Sequence, residues 1–108
     1  MPLNQQFTLA PGETATVQDT SLRVEFLGVM NDSRCPADVM CIQGGDALVT
    51  IRVMDSGRNE YQLHTGDESQ ATITHNGHRI SLVQVQPYPF SSRTIRAEEY
   101  RATFTVSR

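Results

Sequence analysis

The chain has 108 residues, enough for one core, and its 38% hydrophobic and 19% charged composition is that of a folded domain somewhat below average in both. Nine basic against twelve acidic residues leave a net charge of −3 with no basic stretch, which excludes the phosphate-neutralising surface that nucleic acids require. No apolar run approaches the roughly 20 residues of a membrane helix, and all nine basic residues are arginine, which excludes lysine-based covalent catalysis.

Short strand signals follow one another along the chain, each bounded by Gly, Pro, Asn, Asp or Ser. The first covers Gln6 to Ala10, and Pro11-Gly12 turns the chain into a second from Glu13 to Val17. In the third, Leu22, Val24 and Phe26 alternate with Arg23 and Glu25 and give one apolar face. Asn31 to Asp46 has neither strand nor helix period and reads as a long loop. Ala47, Val49, Ile51 and Val53 then face one way, Asp55-Ser56-Gly57 turns, and Tyr61 and Leu63 continue the inward face.

Asn76-Gly77 is the preferred pair for a two-residue type I′ turn and predicts a hairpin between Ala71–His75 and His78–Gln86. The register then pairs His75 with His78, Ile73 with Ile80 and Ala71 with Leu82. Leu82-Val83 followed by Val85 breaks the alternation and predicts a bulge before Pro87-Tyr88-Pro89 ends the strand. The last strand, from Glu99 to Ser107, points Tyr100, Ala102, Phe104 and Val106 inward. Residues 1–108 are expected to form a single all-β domain. It is an antiparallel β-sandwich of seven or eight strands, immunoglobulin-like in architecture but without the Cys…Trp…Cys hallmark.

Cys35 and Cys41 are spaced neither as a redox C-x-x-C nor as half of a four-cysteine zinc site. A local disulfide is the natural reading, and closing its seven-residue ring would remove about 2.4 kcal/mol of unfolded-chain entropy. Two reduced thiols of a cytosolic protein are the alternative. Around the cysteines, Asp32 or Ser33 can accept backbone N–H groups, Arg34 can pair with Asp38 or Asp46, and Pro36 restricts the ring. Asp32, Ser33, Arg34, Pro36, Asp38 and Met40 are therefore the candidate binding loop.

His75 and His78, cross-strand neighbours about 5.5 Å apart at Cα, are the candidate ligands of a zinc or copper ion. Two ligands do not complete a site; His64 is expected to point to solvent, and Asp67 or Glu68 would have to substitute. Met30, Met40 and Met54 suit copper, although packing at strand ends accounts for Met30 and Met54. Asp32, Asp38 and Asp46 lack the spacing of a calcium loop. No nucleophile elbow or comparable catalytic signature occurs, so neither an enzyme nor a cofactor is expected.

Asn31-Asp32-Ser33-Arg34-Cys35-Pro36, Cys41-Ile42 and Gly45-Asp46-Ala47 resemble the D-S-R-C-P…C…G-x-A motif of a group of small bacterial secreted or lipoprotein-type domains of unassigned function. The resemblance extends more weakly to the flanking strands, to Pro87-Tyr88-Pro89 and to the Tyr100 strand, and departs from the group at Gln43-Gly44, where members carry Trp-Ala. It implies a disulfide and an envelope or extracellular setting, and supplies no catalytic residue. With Met1-Pro2-Leu3-Asn4 lacking a basic and apolar leader, an extracytoplasmic location presupposes a signal segment outside this sequence. The expected role is a noncatalytic module presenting residues 32–46 to a protein or cell-surface partner. A metal carrier and a protease inhibitor displaying Val39-Met40 are the alternatives.

Overall fold

The computed structural model describes residues 5–17, 21–36, 38–41, 45–55, 57–66, 68–90, 92 and 94–107. Eight strands occupy them: β1 (Phe7–Leu9), β2 (Thr14–Thr16), β3 (Arg23–Met30), β4 (Leu48–Met54), β5 (Arg58–His64), β6 (Thr72–His75), β7 (His78–Gln86) and β8 (Arg101–Ser107). All pairings are antiparallel, in two four-stranded sheets ordered β1-β8-β7-β6 and β2-β3-β4-β5. The inner faces share one core, where Phe26 of one sheet meets Phe104 of the other edge-on at 6.2 Å between ring centroids. Burial of such side chains stabilises by about 1.5–3 kcal/mol each, so this shared layer is what holds the sheets together.

The packing is that of a β-sandwich, whereas the strand order departs from the ABED and CFG sheets of an immunoglobulin constant domain. Here the chain changes sheet only between β1 and β2 and between β5 and β6; each sheet is otherwise a run of consecutive hairpins, with β1 beside β8. Asn76 and Gly77 both have positive φ, at 49° and 80°, as a type I′ turn requires. The register follows the alternation of the sequence: His75 opposes His78, Ile73 opposes Ile80, and the amide of Leu82 donates to the carbonyl of Ala71.

The bulge falls between Leu82 and Gln84, leaving Val83 exposed and letting both Leu82 and Val85 reach the core. A second register shift, between Phe26 and Gly28 of β3, falls at a similar break in the alternation, Phe26-Leu27 followed by Val29, with a glycine inside the strand. β8 begins later than expected, because the Glu99 carboxylate accepts the Arg96 amide and caps a 3-10 turn at Ala97–Glu99. Met54 is buried at its strand end as packing predicts, but Met30 is 51% exposed, because its position after the β3 bulge faces outward. The outer face of β3–β5 carries the ion pairs Glu25–Arg52 and Arg52–Glu60, at 3.3 and 3.1 Å.

Topology divides the connections between two ends. The tight turns after β4 and β6 lie at one end, and the long connections after β3, β5 and β7 lie at the other.

Candidate functional site

The loop end is organised by Arg34. Its Nε and Nη2 donate to the two carboxylate oxygens of Asp32, both at 2.8 Å, in the paired geometry that suits a planar guanidinium. Nη1 donates to the carbonyl of Val85 at 2.7 Å and Nη2 to that of Pro87 at 2.9 Å, so a loop of one sheet is fastened to the end of β7 in the other. The Tyr100 hydroxyl donates to the second Asp32 oxygen at 2.8 Å. Burial raises the Asp32 pKa, but the hydrogen bonds from Arg34 and Tyr100 outweigh it and hold the carboxyl below its ordinary value. Burial, and after it the Asp32 carboxylate, push the Tyr100 phenol up to about 12.

The expected partners of Arg34, Asp38 and Asp46, are not the ones it takes. Asp32 lies two residues away and reaches the guanidinium within a single turn of the loop, while Asp46 is occupied elsewhere. Its carboxylate accepts Nδ1–H of His64 at 2.6 Å and the amide of Gly66 at 2.8 Å. Ser33 donates through its hydroxyl to the Asp46 carbonyl and accepts the Asp46 amide, closing the base of the loop. Asp32 also accepts the Arg34 amide, as its place in the loop predicts.

Cys35 and Cys41 form a disulfide, with their Cα atoms 6.1 Å apart. Within this ring Pro36 accepts the Val39 amide, so the ring carries a tight turn. Asp38 and Val39 are exposed, and Met40 is 100% exposed at the tip. Across from the ring, Tyr88 is 59% exposed, with the Arg34 guanidinium 5.7 Å from its ring centroid, and Phe90 is exposed two residues later. A groove of about 480 Å3 runs between Cys35 and Tyr88. Among the singled-out residues, Asp32, Ser33 and Arg34 therefore build the scaffold, while Asp38 and Met40 face solvent. Tyr88 and Tyr100 were not singled out; the flanking prolines of Tyr88 were its only mark in the sequence.

At the opposite end His75 is 7% exposed, and both ring nitrogens are engaged. Nε2–H donates to Asp55 at 2.9 Å, which leaves Nδ1 to accept the Tyr61 hydroxyl at 2.8 Å. Asn76 also donates to Asp55. The Gly57 amide, and after it His75, draw the Asp55 pKa down to about 2. His75 and His78 are neighbours across the turn, but the nitrogens of His75 already serve the link between β5 and β6. His64 is held by Asp46 at the other end, far from this pair in the strand order. Asp67 and the Glu68 side chain lie outside the described residues, as do residues 42–44. Among the described residues no group of three His, Cys, Asp or Glu could hold a metal ion, and no helix is long and apolar enough to cross a membrane.

No protein-family model, curated protein or solved structure matches the chain.

Proposed function

We propose that this chain is a noncatalytic binding module of the cell envelope or extracellular space, which presents its disulfide-closed ring to another protein or to a cell surface. The observation that carries the reading is Met40, a large apolar side chain fully exposed on a ring fixed by the Cys35–Cys41 bond and anchored through Arg34. A soluble domain gains nothing for its own stability from such a side chain in water, whereas an ordered loop spares a complex the entropy of ordering it. The disulfide is compatible with an oxidising compartment, and the likeness of the loop to secreted bacterial domains points the same way.

The test is a photoreactive residue placed at position 40 and, as a control, at Arg58 on the turn end, in cells exporting the protein. A discrete adduct from position 40 alone, lost when both cysteines are serine, is the expected result. Equal labelling from both positions would refute the reading. Protease inhibition is a narrower form of it, favoured by the exposure of Val39 and Met40 inside a closed ring. It predicts inhibition of a secreted protease that Met40→Asp relieves.

A further inference from the structure

Three groups converge on the groove beside the ring. The first is Arg34, whose side chain is only 8% exposed yet lines the groove. A guanidinium has five N–H donors; four are taken by Asp32, Val85 and Pro87, which leaves one, on Nη1, with no hydrogen bond among the described residues. The second is Tyr88 at the rim, with the guanidinium over its ring and more than half of its surface open. The third is Gln84, exposed in the groove with its side-chain amide in no hydrogen bond among the described residues.

Charge and polarity narrow what this lining accepts. Among the described residues Arg34 is the only ionised side chain in the lining, and Asp32 neutralises it, so an ion finds no counter-charge in them. A wholly apolar occupant would take the Arg34 donor and the Gln84 amide out of water without offering them partners. The remaining class is neutral, with hydroxyl groups on its edge and an apolar C–H face for an aromatic ring. The volume of about 480 Å3 lies within the usual range of small-molecule sites.

We propose that this groove binds a neutral saccharide unit, its C–H face against Tyr88 and its hydroxyls on Gln84 and the free N–H of Arg34. The proposal rests on the reading of the loop end as the binding end, but it depends on different residues from the ring tip. Titration of the intact protein with neutral β-linked glucose and N-acetylglucosamine oligomers, followed by NMR, is the test. Saturable shifts are expected at the Tyr88 ring and the Gln84 side-chain amide. Tyr88→Ala and Gln84→Ala should each weaken binding about tenfold or more, whereas Arg58→Ala, at the turn end, should leave it unchanged. No shift at about 10 mM sugar, binding undiminished in Tyr88→Ala, or saturation by a proline-rich peptide instead would each overturn the proposal. The ring-tip reading would survive any of these, and would fall only to its own crosslinking result.

Discussion

At the turn end Asp55, His75 and Tyr61 join the two sheets; at the loop end Asp32, Arg34 and Tyr100 do the same with a guanidinium in place of the imidazole. Both join a carboxylate, a nitrogen donor and a phenol, centred on His75 at one end and on Asp32 at the other, and both are largely removed from water. What surrounds them differs. Among the described residues the turn end, closed by Asn76-Gly77 and the Asp55–Gly57 turn, leaves no large apolar side chain in solvent, whereas the loop end displays Val39, Met40, Val83, Tyr88 and Phe90. The same kind of polar clasp thus ends a structure in one place and supports an exposed surface in the other. What marks a binding surface here is the apolar display beside the clasp.

Breaking the loop-end clasp should cost most. Arg34→Ala leaves a mostly buried Asp32 carboxylate and two carbonyls without their donor, and should lower the unfolding free energy by about 3–5 kcal/mol in urea denaturation. Arg34→Lys should recover only part of it, because an ammonium cannot span both Asp32 oxygens and both carbonyls. A loss under about 1 kcal/mol would show that the loop end is held by something other than Arg34. Replacing both cysteines with serine should cost about 2.4 kcal/mol through ring closure, less than the clasp. Tyr61→Phe, which takes one hydrogen bond from the turn end, should cost about 0.5–1.5 kcal/mol.

The pH dependence separates the two ends. In acid both lose support, because the carboxyl pKa values of Asp32 and Asp55 are depressed in the folded state. For Asp55 this stabilisation is present above the ordinary value of 3.8 and is lost as pH falls towards about 2. In base the loop end responds. The Tyr100 phenol, raised from 10.0 to about 12, stabilises the fold fully below its unfolded value and loses this as pH rises through that interval. Tyr100→Phe should therefore flatten the alkaline limb of stability, and Asp55→Asn should shift the acid limb alone. An alkaline limb unchanged in Tyr100→Phe would place the sensitivity elsewhere.

The strands were legible because each carries its own signal: alternation at Leu22–Phe26 and Tyr100–Val106, the Asn76-Gly77 pair, and the broken period at Leu82-Val83. The clasps were not, because a guanidinium, an imidazole or a phenol has several candidate partners along the chain, and the fold selects among them. Arg34 had acids at positions 32, 38 and 46 within reach of the loop, and the choice of Asp32 depended on Tyr100, 68 residues further on, and on the carbonyls ending β7. His75 read as a metal ligand because its partner Asp55 lies across the seam between β5 and β6, where no strand pairing records the contact. Local order is encoded locally; the sites are made by contacts between ends of sheets.

The smallest effect on stability falls on the most exposed group, and it sharpens the contrast between scaffold and display. Peroxide transfers one oxygen to the thioether sulfur of methionine and leaves water, at a rate that follows access to the sulfur. Among the described methionines, Met40, at 100% exposure, should be oxidised first, Met30 at 51% next, and Met54, buried at 9%, last. Peptide mapping by mass spectrometry gives the order directly. Because Met40 is fully exposed, its sulfoxide should change the unfolding free energy by no more than about 0.5 kcal/mol, the range of an ordinary surface change. A larger loss would mean that the ring tip folds back onto the sandwich in solution, making it part of the scaffold that Arg34 secures. An unchanged stability leaves the tip as a surface the fold holds out but does not use.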